Sequence, residues 1–145
     1  MTADIYSTEK RSQIMSRVRG KDTGPEKIVR SLLHRSGFRF RLHVASLPGK
    51  PDIVLPRHRK VILIHGCFWH GHTECAKGRQ RPATRRAFWD AKIRDTIARD
   101  VRVRARLEDA GWRILEIWEC QMRHPESLVA TLVDFMKVGA ADATT

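Results

Sequence analysis

Apolar residues along this chain fall into two alternating rhythms. Ile14 and Val18 stand four apart in an otherwise polar stretch, which predicts a short polar helix or arm over residues 7–19. A second helix is expected to start at Pro25, capped by Asp22 or Thr23. Its apolar stripe is Ile28, Val29, Leu32 and Leu33, and Gly37 stops it. Phe38-Arg39-Phe40-Arg41-Leu42-His43 alternates strictly, as a half-buried strand does. Residues 47–51 form a turn, 52–55 a second strand, and 56–59 a turn back. Residues 60–65 then make a third strand, apolar enough to be buried on both faces. Thr84 can cap a long helix that runs to about Asp109, where Gly111 ends it. Residues 112–118 read as a fourth strand. A last helix begins at Pro125 with Leu128, Leu132, Val133 and Met136 inward. The order ααβββαβα predicts an α/β sandwich around a small mixed sheet. No repeat, linker or low-complexity segment interrupts it. The expectation is therefore one domain over residues 1–145, with an arm at 1–20 and a loose tail at 140–145.

Charge narrows the class of partner. The 145 residues carry 28 Lys and Arg against 16 Asp and Glu, a net +12, with 41% hydrophobic residues. That excess favours a polyanion, and nucleic acid over an anionic membrane or a merely solvated basic face. No apolar run is long enough to span a bilayer, and the first residues lack the apolar stretch of a secretory signal. The expected location is the cytoplasm. In a reducing compartment three cysteines read as metal ligands or small buried hydrophobes, not as a disulfide framework.

The densest chemistry lies in residues 65–75, His-Gly-Cys-Phe-Trp-His-Gly-His-Thr-Glu-Cys. Cys67, His72 and Cys75 are spaced for one compact metal site. Cys120 can join them if the fourth strand lies beside the third. Such a Cys₃His set makes a closed, structural zinc centre. His65 and His70 are rival ligands. The bland alternative is a metal-free loop with Cys120 an ordinary buried cysteine.

Asp52 opens a strand, a place that suits a carboxylate holding Mg²⁺ against a phosphate; taken alone, it reads more readily as a turn aspartate that satisfies backbone N–H groups. If residues 52–55 and 60–65 form a hairpin, residue 65 lies roughly opposite residue 52. Asp52 then converges with His65 and His70, either of which can serve as a base near neutral pH. Glu26 is a further acid, or a simple complement to its helix dipole. Phe68, Trp69 and Trp89 can form a wedge against stacked bases, with Lys92 and Thr96 near the face of Trp89. Phe88, Trp112 and Trp118 read as core. Some of Arg85, Arg86, Lys92, Arg94, Arg99, Arg102, Arg104 and Arg106 are expected to meet phosphates, the rest to be a solvated face.

Taken in order, Met15-Ser16, Pro25-Glu26-Lys27, Leu47-Pro48-Gly49-Lys50-Pro51-Asp52, His65-Gly66-Cys67-Phe68-Trp69-His70, Pro82-Ala83-Thr84, Phe88-Trp89, Gly111-Trp112-Arg113 and Trp118-Glu119-Cys120 resemble the Vsr family of very-short-patch-repair DNA mismatch endonucleases. The likeness runs from about residue 9 to 122. It implies a restriction-endonuclease-like fold with structural zinc. It also implies a Mg²⁺-dependent nick on the 5′ side of the thymine in a T:G mismatch left by deamination of 5-methylcytosine. Asp52 would hold Mg²⁺, with the backbone carbonyl of Ile64 as a second contact. His70 would be the general base, His65 would assist at the scissile phosphate, and Glu26 would support the site. Cys67, His72, Cys75 and Cys120 would hold zinc. Phe68, Trp69 and Trp89 would wedge beside the mismatch, with Lys92 and Met15 also on DNA. Two departures stand out. Ile64 occupies a position where the family can carry a hydroxyl residue, and Ile62-Leu63-Ile64 leaves out the acid-x-Lys half of the usual restriction-nuclease motif. A mismatch is asymmetric, so a monomer is expected, with other mismatch-repair proteins as further partners. The competing readings are a restriction-type nuclease on a normal site and a non-catalytic zinc-stabilised DNA-binding module.

Overall fold

A computed structural model of the chain describes residues 24–137. The expected N-terminal helix with Met15, the caps Asp22 and Thr23, and the tail after Gly139 lie outside the described residues. The elements are α1 (Gly24–Arg35), β1 (Arg41–Leu42), β2 (Ile53–Leu55), β3 (Lys60–His65), α2 (Ala76–Arg79), α3 (Arg86–Asp109), β4 (Arg113–Trp118) and α4 (Pro125–Lys137). The four strands form one mixed sheet in the order β1-β2-β3-β4. The first two pairings are antiparallel and β3 with β4 is parallel. Among the described residues no helix is long and apolar enough to cross a membrane.

Strand β2 and positions 61–64 of β3 are apolar because, with period-two alternation, both faces of each strand meet a packed layer. Ile53, Leu55 and Ile62 face one layer, where they pack with Val29 and Leu33 of α1 and Leu128, Leu132 and Met136 of α4. Val54 and Val61 face the opposite layer, where they meet Leu107 of α3 and half-buried Val103 and Trp112. Helices therefore cover both faces, and the third strand is sealed as expected. At its start Lys60 is buried, and its Nζ donates to the carbonyls of Phe135 at 2.7 Å and Met136 at 3.0 Å. The cation thus satisfies two orphan carbonyls in the last turn of α4.

Several expectations need correction. Only Arg41–Leu42 of the alternating segment 38–43 pairs as strand, and both residues are exposed. Phe38 and Phe40 instead lie half-buried against the core below α1. Ile28 and Val133, expected inward, are 44% and 43% exposed, because one buried position per turn (Val29 and Leu33; Leu128, Leu132 and Met136), flanked by half-buried Leu32 and Phe135, already fills the contact. Thr84 does not cap α3: Arg85 occupies the cap in a left-handed conformation (φ 57°) with no side-chain cap bond. Phe88, expected in the core, is 44% exposed.

Candidate active site and metal centre

The β2–β3 hairpin brings the acid to the histidine end of the third strand. Its register pairs Ile53 with Ile62 and Leu55 with Lys60. One further step sets Asp52 opposite Leu63, so the expected pairing of 52 with 65 is wrong by two residues. The 3₁₀ turn Pro56–His58 and left-handed Arg59 (φ 55°) close the hairpin and fix that register. The acid still reaches the site, because Asp52 Oδ2 accepts the Ile64 N–H at 2.8 Å. Burial pushes the Asp52 carboxyl up to about 6, the charge and hydrogen bond of Glu26 add to the rise, and the Ile64 N–H and the charge of His70 oppose it. Glu26 and His70 therefore both act on the Asp52 carboxyl.

Glu26 sits in the first turn of α1 and is only 4% exposed. Its Oε2 accepts from Arg30 Nη2 at 3.0 Å and lies 3.2 Å from His43 Nε2. A mere dipole complement would face solvent; this carboxylate is turned into the site. A buried and a half-buried carboxylate that oppose each other's charge are hard oxygen donors, which fits a divalent cation of the Mg²⁺ type.

The two histidines come together through a tight turn after β3. His70 N–H bonds to the Gly66 carbonyl at 3.1 Å and His72 N–H to the Cys67 carbonyl at 2.9 Å. Gly71 makes the turn possible: it has φ 60°, and a Cβ there would sit 2.8 Å from Ile93 of α3. The rings of His65 and His70 end 4.1 Å apart. Each imidazole has its own carboxylate. His70 Nδ1 pairs with Asp100 Oδ2 at 2.6 Å, and His65 Nε2 with Glu116 Oε2 at 2.9 Å. Arg104 bonds the other oxygen of Glu116. The hydrogen bond from His65, then the one from Arg104, hold the Glu116 carboxyl at about 2 against the effect of burial. A carboxylate only accepts, so these pairings place the proton on His70 Nδ1 and His65 Nε2 and leave the opposite nitrogens basic.

Parallel pairing of β3 with β4 matches His65 with Trp118. The chain then delivers Cys67 and Cys120, each two residues further on, to one place. Ligand atoms of Cys67, His72, Cys75 and Cys120 all lie within 4.8 Å of one another. Cys120 Sγ is 3.6 Å from His72 Nδ1, and the Cys120 N–H donates to Cys67 Sγ at 3.4 Å. Trp118 stacks flat on His72, 4.0 Å between centroids and 8° between planes. Gly78 admits no side chain, since a Cβ would meet the His72 carbonyl oxygen at 1.9 Å. Burial pushes the Cys67 thiol up to about 12, and the other two cysteines add to it, whereas the Gly78 N–H holds Cys75 below its ordinary value. Three thiols and an imidazole closing on one point fit zinc, whose charge favours the thiolate form.

Beside both centres Phe68, Trp69 and Trp89 form a mutual aromatic group with centroids 5.2 to 5.7 Å apart. Phe88 extends it, 5.4 Å from Trp89, with the Arg85 guanidinium 4.4 Å above its ring. Lys92 is exposed one turn along α3. Arg104 departs from the expected solvated or phosphate-facing set by turning inward to Glu116. His43, Asp100 and Glu116 were not anticipated as site residues. A charged residue inside the apolar run of β4 was the available signal for Glu116. Asp100 has none, standing among many charges on α3.

Residues 3–77 match the family described as DNA mismatch endonuclease Vsr. The type II nicking enzyme V.XorIIP of Xanthomonas oryzae is 50% identical over 129 residues, covering 89% of this chain and 93% of that protein. The DNA mismatch endonuclease Vsr of Escherichia coli is 45% identical over 126 residues, covering 87% and 80%. The nicking enzyme V.NmeAIP of Neisseria meningitidis is 41% identical over 121 residues, covering 83% and 85%. With its family match spanning half the chain and relatives aligned over most of their length, this protein belongs to the Vsr family of DNA mismatch endonucleases.

Proposed function

We propose that the protein nicks one DNA strand on the 5′ side of the thymine in a T:G mismatch, in a Mg²⁺-dependent reaction. Its fold is then the restriction-endonuclease type, in one domain acting as a monomer. The observation that carries the reading is the convergence of Asp52 and Glu26, which with His43 offer ligand atoms within 4.8 Å of one another, at the end of the β2–β3 hairpin that leads into the His65–His70 pair. Phosphodiester hydrolysis needs charge neutralisation at phosphate and a base for water; Asp52 and the Ile64 carbonyl would hold Mg²⁺, which would supply the first. His70 takes the proton from water at Nε2, its orientation held by Asp100 at Nδ1. His65, pinned by Glu116, faces the scissile phosphate with Nδ1. Glu26 supports Asp52 from α1. Zinc on Cys67, His72, Cys75 and Cys120 holds the loop that carries both histidines.

Phe68, Trp69 and Trp89 form the wedge beside the mismatch, and Lys92 with the other exposed bases of α3 meets the backbone. Net charge of +12 supports DNA as the partner. The test is a strand-resolved cleavage assay on matched duplexes carrying T:G or T:A in varied flanks. The expected result is a Mg²⁺-dependent nick in the T:G duplex and none in T:A. Equal cutting of T:A, cutting of both strands, or no cutting of any T:G context overturns the proposal.

A further inference from the structure

Among the described residues, His43 is the one imidazole near the acids that no carboxylate orients by an aligned hydrogen bond. It follows β1 in a left-handed conformation (φ 49°), and its N–H donates to the Asp52 carbonyl at 3.1 Å. That bond ties its backbone to the site acid. Its side chain is 12% exposed. Nε2 lies 3.2 Å from Glu26 Oε2, yet it is buried without an aligned hydrogen-bond partner. Glu26, His43 and Asp52 each offer one ligand atom, and the three lie within 4.8 Å of one another. His65 and His70 belong to a different group, and each is engaged by its own carboxylate. Nitrogen for the acid pair therefore comes from His43.

We propose that His43 is a nitrogen ligand of the divalent cation held by Asp52 and Glu26, so that this centre accepts Mn²⁺ beside Mg²⁺ and holds Mn²⁺ the more tightly. The inference rests on the reading of Asp52 as a cation ligand. The chemistry follows from donor type. Mg²⁺ keeps oxygen and water ligands, whereas imidazole suits first-row transition metals. Two hard carboxylates beside one imidazole match Mn²⁺, the hardest of that series. Arg30 keeps its bond to Glu26 Oε2 and offsets part of the local negative charge.

The test titrates Mn²⁺ and, separately, Mg²⁺ into the full zinc-loaded chain, and records pulsed electron paramagnetic resonance of bound Mn²⁺. His43→Asn is the variant of choice, because asparagine tolerates the left-handed backbone. Wild type is expected to show ¹⁴N coupling to Mn²⁺. His43→Asn loses that coupling and binds Mn²⁺ at least about tenfold more weakly, with Mg²⁺ affinity unchanged. Coupling that persists in His43→Asn, or Mn²⁺ affinity that does not move, overturns the role of His43. Asp52→Asn separates the two levels. If it abolishes binding while His43→Asn changes nothing, only this inference fails. If it leaves Mn²⁺ and Mg²⁺ affinity intact, the reading of Asp52 fails and takes the inference with it.

Discussion

Residues 65–75 serve two neighbouring centres with opposite logic. Cys67, His72 and Cys75 turn toward one another and toward Cys120, closing every donor on one point. His65 and His70 turn away from that point, and each meets a carboxylate from another element, Glu116 on β4 and Asp100 on α3. Trp118 stands between them, flat on His72 and at 4.9 Å from the ring of His65. A donor whose partners are other donors suits a metal that holds the loop. A donor whose partner is a carboxylate keeps its second nitrogen for chemistry. In the proposed function one loop carries a closed centre that stabilises and an open one that reacts, and the partners, not the residue types, separate them.

Substitutions on the two sides should therefore separate stability from activity. Cys120→Ser removes a zinc ligand and is expected to destabilise by about 4 kcal/mol or more, the range of lost metal sites. Thermal melting should fall by about 10 °C or more, and elemental analysis should show less than the one zinc per chain expected of wild type. An unchanged melting point in a zinc-free variant would dissolve the contrast between the centres.

Asp52→Asn should act in the reverse sense in protein free of divalent cation at the acid site. The Asp52 carboxyl is raised from 3.8 to about 6, so its contribution to stability is full below pH 3.8 and is lost as pH rises through 6. At pH 7 the buried charge is a liability on the order of 3 kcal/mol. The amide variant should melt higher than wild type at pH 7, and the gain should fade below about pH 4. A lower melting point at pH 7 would contradict this sign.

Glu116→Gln should show the smallest effect. Glu116 is lowered from 4.5 to about 2, so its stabilising contribution is present above pH 4.5 and lost as pH falls through 2. Its side chain is partly exposed, so solvent screening reduces the loss at pH 7 to about 1 kcal/mol. Nitrogen chemical shifts of the His65 ring should also change, since a neutral amide no longer fixes which nitrogen carries the proton. Unmoved shifts would leave Glu116 with no part in orienting His65.

Much of this arrangement is written locally in the chain. Strands β2 and β3 stand out because both faces are apolar, and the cysteine and histidine spacing marks the Cys67–Cys75 cluster before any contact is known. Parallel pairing of β3 with β4, the one condition placed on Cys120, is what the fold provides. Where the reading slipped, the deciding information was not local. Hairpin register depends on the 3₁₀ turn and left-handed Arg59, which residue types alone do not announce. The Phe38–His43 alternation reflects two rings packing under α1 rather than a full strand. His43 and Asp100 acquire their roles only when α1, β1 and α3 converge. A stripe of four apolar residues overstates how wide a helix contact is, as Ile28 shows.

The division of labour within the loop is tested most directly by measuring T:G nicking and thermal melting side by side on His70→Ala. The prediction is a loss of about 10² to 10⁴-fold in the nicking rate, the usual contribution of a positioned general base, at a zinc content and melting temperature matching wild type. Nicking at the wild-type rate, or activity lost only together with zinc and the fold, would contradict it.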